Sequence, residues 1–291
     1  MRVGITGYTG FVGSKVLRLL MNDESIDEIY LIGRQPILNT SSLRVKYFHF
    51  DLVTSTDPFD RRLDVLIHLA GRMRKTHNDA TPDKDYFDAN VYGTYNLVNH
   101  VRTNRLVYVS TVDVYGENSF GKRVDENVCP KPQGVYAATK YLGEEVCRIA
   151  YAEANLLVAR LGNVYGPGDR SEKLIQTAIK RIKSGEKIKM YGDGSYTRDY
   201  IFVDDVAELL LKLSLGEASG TVNVVSGRNH SISETLALIC SRLEVKFDEV
   251  VEALDVENSP KSIRFDNQCL NRFVKSFQFT ELSKGLEHTI D

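Results

Sequence analysis

Tyr136 and Lys140 are four residues apart in Tyr136-Ala137-Ala138-Thr139-Lys140. On a helix that spacing puts them one turn apart on a shared face. An ammonium held beside a phenol favours the phenolate and draws the tyrosine pKa down from about 10 toward working pH, which would make Tyr136 a general acid or base. Upstream, the apolar run Val107-Tyr108-Val109 ends in two hydroxyls, Ser110 and Thr111. Near the N-terminus, Thr6-Gly7-Tyr8-Thr9-Gly10-Phe11-Val12-Gly13 sets three glycines between a strand pattern and a helix pattern. Glycines in that place permit a tight turn and close backbone approach to a pyrophosphate, with the phosphates at the positive helix end. Gly7, Gly10 and Gly13, with Phe11 and Val12 opening the helix, are therefore cofactor candidates.

These residues need a frame to bring them together. Apolar runs at 2–6, 28–32, 45–50, 65–69, 106–110 and 156–161 read as strands, several of them apolar on both faces. Helical periodicity at 11–21, 87–102 and 136–155 separates them. Continuous apolar strands alternating with helices predict an α/β fold, a Rossmann-type doubly wound parallel sheet. Beyond 162 the pattern shifts to a helix at 172–184, a strand at 188–191, a strand–helix pair over 200–215, a strand at 221–225 and a helix at 231–243. The last helix is opened by a capping box, Ser231-Ile232-Ser233-Glu234. Asp204 and Asp205 read as the N-cap of the helix before it. The expected organisation is a cofactor domain of 1–162 plus about 200–226, and a smaller α/β substrate domain of 163–199 plus about 227–291.

Composition narrows the class. The 291 residues are 42% hydrophobic and 26% charged, with a net charge of −2, which suits a soluble globular protein and leaves no electrostatic footprint for nucleic acid or an anionic membrane. No apolar run reaches membrane-spanning length, and the chain opens directly into a strand pattern, so a cytoplasmic protein is expected. Cys129, Cys147, Cys240 and Cys269 have no metal-like spacing and read as reduced thiols, with no metal site.

The Gly-x-x-Gly-x-x-Gly loop followed by Tyr-x-x-x-Lys resembles the extended short-chain dehydrogenase/reductase family, in particular its nucleotide-sugar epimerases, reductases and dehydratases. The resemblance runs over nearly the whole chain. It implies a catalytic hydroxyl four residues before the Tyr-Gly of Ser110-Thr111-Val112-Asp113-Val114-Tyr115-Gly116, which is Thr111. It also implies that Lys140 binds the nicotinamide ribose. Asp51 and Leu52 match the adenine-contacting pair of the family, while Leu69, Ala70, Gly71 and Asn90 match positions that line the cofactor or bridge two helices. At the end of the second strand, Gly33 stands where an acid would favour NAD and Arg34 follows, which favours NADP with NAD as the alternative. Homodimerisation through a four-helix bundle built from 87–102 and 136–155 is a further implication.

Arg160-Leu161-Gly162-Asn163-Val164-Tyr165-Gly166-Pro167-Gly168 and Thr197-Arg198-Asp199-Tyr200-Ile201-Phe202-Val203-Asp204-Asp205 resemble substrate segments of the same group. Asn163, Arg198 and Arg264 are the implied contacts to a nucleoside-diphosphate sugar, and guanidinium groups suit a diphosphate. Arg72, Arg74 and Lys75 are pocket candidates. Related 4,6-dehydratases carry Asp-Glu directly after the threonine; here Val112 cannot donate a proton, which disfavours dehydration, and Asp113 is expected to cap or solvate a loop. The leading expectation is reduction of a 4-keto sugar with Tyr136 as proton donor. A 4-epimerase with tightly held NAD is the alternative, followed by a reductase of non-sugar carbonyl compounds and, last, a non-catalytic nucleotide sensor.

Overall fold

The structure is a computed structural model that describes residues 1–37, 42–73, 81–255 and 261–291. In chain order, the first part runs β1 (Arg2–Thr6), α1 (Phe11–Asn22), β2 (Glu28–Gly33), β3 (Val45–His49), β4 (Leu63–His68), α2 (Asp83–Phe87), one turn of π-helix (Asp88–Tyr92), α3 (Gly93–His100), β5 (Thr103–Thr111), β6 (Arg123–Val124), α4 (Gly134–Ala150) and β7 (Leu156–Leu161). The second part runs β8 (Asn163–Tyr165), α5 (Leu174–Lys183), β9 (Ile188–Tyr191), β10 (Thr197–Phe202), α6 (Val203–Leu215), β11 (Gly220–Val224), β12 (Asn229–Ser231), α7 (Ile232–Arg242), α8 (Phe247–Val250), β13 (Val251–Leu254), β14 (Arg264–Phe265), α9 (Gln268–Phe273) and α10 (Leu282–Ile290).

A seven-stranded sheet in the order β11-β7-β5-β4-β1-β2-β3 forms the frame, and every neighbouring pair in it is parallel. The two-residue period of a strand sorts its side chains between two cores. Val107 and Val109 of β5 join Val16 and Leu20 of α1 and Leu209 and Leu213 of α6 on one face. Leu106 and Tyr108 join Leu97 of α3 and Cys147 of α4 on the other. Helices on both faces explain why the strands are apolar on both sides. β7 is buried along its whole length. The order reverses between β1 and β4, and the glycine loop and the end of β4 meet at that switch point.

A three-stranded sheet, β12-β10-β8, and the parallel pair β13-β9 lie outside this frame. They carry a separate apolar cluster that includes Ile175, Ile179, Ile182, Leu236, Ile239 and Leu286. A further small cluster joins Val112, Val114 and Tyr115, just past β5, to Phe265 of β14 and Val225.

Three expectations need correction. The helix expected at 87–102 starts earlier, at Asp83, is interrupted by the π turn, and ends at His100, because Val101 is extended and β5 already begins at Thr103. The helix expected at 136–155 spans Gly134–Ala150 and stops where Tyr151 turns extended, ahead of β7. Asp204 and Asp205 are not an N-cap. Phe202 holds that place, while Asp204 pairs with Lys15 of α1 at 3.0 Å and Asp205 accepts the Thr280 N–H and hydroxyl, both at 2.8 Å. The capping box at Ser231 and Glu234 forms as expected.

Candidate active site

The loop between β1 and α1 is shaped by its glycines. Gly7 has φ +69° and the Gly10 N–H donates to the Gly7 carbonyl at 3.0 Å. A Cβ on Gly13 would stand 2.1 Å from that carbonyl oxygen, and one on Gly7 would stand 2.6 Å from the Ala70 nitrogen. The backbone thus forms a cradle at the N-terminus of α1 that no side chain fills, which fits a pyrophosphate. Tyr8 locks the loop from beneath: its hydroxyl donates to the Gln35 carbonyl, and burial pushes its pKa up to about 12.

The end of β4 is tied to the same loop by a buried chain of hydrogen bonds. The Ala70 N–H donates to Thr6 Oγ1 at 3.1 Å, and Thr6 Oγ1 lies 2.7 Å from His68 Nδ1. His68 Nε2 lies 3.1 Å from Thr94 Oγ1, which donates to the Asn90 carbonyl at 2.7 Å. Because Thr94 spends its proton on the Asn90 carbonyl, it accepts from Nε2–H, so in the neutral ring Nδ1 is the acceptor and receives the Thr6 hydroxyl proton. Burial and the nearby Lys140 charge take the His68 pKa down to about 3, so the ring is neutral. Asn90, held in the π turn, receives the Arg72 N–H at 2.7 Å and donates to the Arg72 carbonyl and to Thr139 Oγ1, both at 3.0 Å. One amide side chain therefore fastens the segment after β4 to α4, one residue before Lys140.

Thr111, at the end of β5, accepts the Asp113 N–H on its hydroxyl at 3.2 Å, which leaves the hydroxyl proton free to point elsewhere. That hydroxyl shares the cavity wall with the Tyr136 phenol and acts to lower its pKa. Lys140 is 6% exposed, and its ammonium sits over the Tyr108 ring at 4.2 Å from the centroid. Burial lowers its pKa to about 8. The expected depression of the Tyr136 pKa is not found. Burial raises it, the Asp113 charge raises it further, and the Thr111 hydroxyl opposes both. The reason is placement: Lys140 is spent on the Tyr108 ring, and the charge acting on the phenol is a carboxylate. Asp113 is thus a solvated residue whose charge reaches the site, not only a loop residue.

Tyr136, Thr111, Lys140 and Asp113 line one cavity of about 770 Å³, together with Gly7, Gly10, Phe11, Val12, Gly13, Leu69 and Gly71. Arg72 lines it too; Arg74 and Lys75 lie outside the described residues. Asn163 is shared with a second cavity of about 280 Å³, lined by Arg198, Tyr196, Tyr200 and Lys173. Arg198 does not pair with Asp199. It donates to the Thr197 and Lys261 carbonyls and lies over the Tyr196 ring, whereas Asp199 is buried under the Ser226 and Gly227 amides. Arg264 is exposed on β14 and on the wall of neither cavity. Ala70 and Asn90 support the walls from behind, whereas Leu52 lies against Gly93 of α3 and on the wall of neither cavity. Arg34 is 77% exposed, with Nε 4.0 Å from the Asp51 carboxylate.

Sequence reading passed over Thr6, Thr94 and Glu144. Glu144 carried a signal, since it falls one turn after Lys140 on the same helix; the partners of Thr6 and Thr94 come from distant parts of the chain and left none.

The sequence model of the NAD dependent epimerase/dehydratase family matches residues 3–224. The chain belongs to that family, within the extended short-chain dehydrogenase/reductases. It is 28% identical to a trifunctional UDP-glucose 4,6-dehydratase/UDP-4-keto-6-deoxy-D-glucose 3,5-epimerase/UDP-4-keto-L-rhamnose-reductase of Arabidopsis thaliana over 99% of its own length and 46% of the relative, so it spans about half of that protein. It is 29% identical to the low-salt glycan biosynthesis protein Agl12 of Haloferax volcanii, covering 86% of this chain and 85% of that one. Among solved structures, UDP-glucuronic acid 4-epimerase from Bacillus cereus in complex with NAD superposes with a TM-score of 0.82 at 21% identity, over 100% of this chain and 97% of that one. MoeE5 in complex with UDP-glucose and NAD superposes with a TM-score of 0.81 at 23% identity, over 100% and 97%. The expected preference for NADP finds no support here: these neighbours hold NAD, and the Asp51 carboxylate stands beside the arginine on which that preference rested. Among the described residues, no helix is long and apolar enough to cross a membrane.

Proposed function

We propose that this chain carries out NAD-dependent oxidation and reduction at C4 of a nucleoside-diphosphate sugar, closing as a 4-epimerisation. The observation that carries the reading is that Thr111, Tyr136 and Lys140 line one cavity with the glycine cradle. When bound, NAD supplies reversible two-electron redox at the sugar carbon. Tyr136, kept protonated by burial and the Asp113 charge, gives its proton to the ketone oxygen in the reducing half-reaction; only its ionised form can take the proton back from the C4 hydroxyl, a form that the positive charge of a bound oxidised nicotinamide would favour. Thr111 donates to that same oxygen, and its own lone pair is pinned by the Asp113 N–H. The buried cation of Lys140, seated over the Tyr108 ring, holds the cofactor ribose. Arg198, Asn163 and Lys173 around the second cavity supply the cations and amide for a diphosphate. Val112, apolar and buried, offers no acid for dehydration.

The cofactor reading rests on the unfilled glycine cradle and on the carboxylate of Asp51 beside β2. In this reading residues 1–162 plus about 200–226 hold NAD, and 163–199 plus about 227–291 hold the sugar nucleotide. The second reading, a 4-keto-sugar reductase using NADPH, is favoured by the exposed guanidinium of Arg34. Purified protein distinguishes them. Release of NAD on denaturation, with interconversion of C4 epimers and no net NADPH oxidation, is expected. NADPH-consuming reduction of a 4-keto sugar by protein that retains no NAD would overturn the epimerase reading. Phe87, Tyr92 and Tyr95 on the α2–α3 side and Leu142 and Ile149 on α4 are exposed, and they support a homodimer through these helices, to be checked by sedimentation velocity.

A further inference from the structure

We infer that Glu144 is a positioning residue whose carboxylate fixes the register of α4 against the ends of β5 and β7, and so sets Tyr136 and Lys140 against Thr111. Glu144 is completely buried. Its Oε1 accepts from Ser110 Oγ at 2.6 Å and from Arg160 Nε at 3.0 Å; its Oε2 accepts from Arg160 Nη2 at 2.7 Å and from Arg148 Nη2 at 3.1 Å. Each partner reaches a different part of the site. Ser110 is the residue before Thr111, Arg160 lies on β7 three residues before Asn163, and Glu144 itself is one turn past Lys140 and two turns past Tyr136.

Arg160 is held in turn, 3% exposed, over the Tyr115 ring at 4.8 Å, and the Tyr115 hydroxyl donates to Asn223 of β11 at 2.8 Å. The carboxylate has all its lone-pair directions used, and the Arg160 fork meets it with two parallel N–H bonds, an arrangement that allows a single relative orientation of the strands and the helix. A buried ion pair is a poor source of stability, because apolar residues of similar volume do as well or better. Greasy packing, however, lets a helix rotate or slide by fractions of an ångström, and a hydroxyl pair sharing one substrate oxygen does not tolerate that. Gly143, next to Glu144, permits the close seating this requires: a Cβ there would stand 2.1 Å from the Tyr108 hydroxyl oxygen.

The inference rests on the chemistry proposed above, and its test separates the two. The double variant Glu144→Met/Arg160→Met replaces the ion pair by apolar residues, and Ser110→Ala removes only the link to β5. The double variant is expected to keep the wild-type melting temperature within a few degrees while kcat at saturating cofactor falls about 100-fold with little change in KM; Ser110→Ala, which leaves the buried Glu144 carboxylate one donor short, is expected to stay folded with a melting temperature a few degrees lower and to lose about tenfold in kcat. Wild-type kcat in a double variant of wild-type melting temperature overturns the inference, and if the double variant does not fold, wild-type kcat in Ser110→Ala does so. Titration with NADH needs no sugar. Affinity about tenfold weaker than wild type in the folded variants supports positioning of Lys140, and unchanged affinity in both overturns it, even where the wild type turns over no nucleotide sugar and the proposed reaction itself has failed.

Discussion

Replacing Lys140 by methionine should abolish turnover and at the same time stabilise the protein. Lys140 is 6% exposed and burial takes its pKa from 10.5 to about 8. At neutral pH it is charged in both the folded and unfolded states, so the lowered pKa measures the cost of burying the charge, about 3 kcal/mol. The Tyr108 ring at 4.2 Å returns up to about 2 kcal/mol as a desolvated cation–π contact. The net gain for Lys140→Met is therefore about 1 to 3 kcal/mol, a rise of at least about 2 °C in Tm. The pH dependence has a definite sign. The folded pKa lies below the unfolded one, so the native state holds fewer protons between about pH 8 and 10.5 and the lysine's cost is shed across that window. The advantage of the variant should stay constant below about pH 8 and shrink toward zero by about pH 10.5. Thermal melts of both proteins from pH 6 to 10, alongside turnover, provide the assay. A variant less stable than wild type at pH 7, or an advantage that grows with pH, would refute the reasoning. The functional lysine is thus expected to cost stability where it serves the site.

Tyr136→Phe should lower kcat about 10²- to 10⁴-fold, the range of a lost general acid or base, with NADH affinity kept, as read by fluorescence titration. Asp113→Asn removes the carboxylate that raises the Tyr136 pKa, so the alkaline limb of the kcat–pH profile should move to lower pH; a move upward contradicts the electrostatic account. Gly13→Ala places a methyl 2.1 Å from the Gly7 carbonyl oxygen and should destroy NAD binding, measured by calorimetry. Ser231→Ala breaks the capping box of α7 and should lower stability by about 1 kcal/mol in thermal melts, with kcat unchanged.

The parallel sheet was legible because strands covered on both faces must be apolar on both sides, and that composition survives in a one-dimensional reading. The glycine loop was legible for a similar reason: a backbone that must pass within touching distance of another excludes side chains by type. Helix ends were less so. Whether the helix ahead of β5 stops at His100 or runs on to Arg102 depends on where β4 needs its neighbour, since Leu63 of β4 pairs with Thr103, and local periodicity carries no information on that. Asp204 and Asp205 looked like caps because acids gather at helix starts, yet their partners come from α1 and from Thr280.

By itself the sequence determined which groups are available: Thr111, Tyr136 and Lys140 in order behind three glycines, within a chain of alternating strands and helices. Charge and hydrogen-bond type are properties of the residue, so they can be read without a fold. Only the tertiary structure decided what each group experiences. The spacing of Tyr136 and Lys140 implied an ammonium that acidifies a phenol, whereas in the folded protein the ammonium rests on Tyr108 and the charge that acts on the phenol is Asp113. The fold likewise supplied Asp51 beside Arg34 and gathered Ser110, Arg148 and Arg160 around Glu144. A pKa or a register depends on distances of a few ångströms between segments far apart in the chain, and those distances exist only once the sheet has formed.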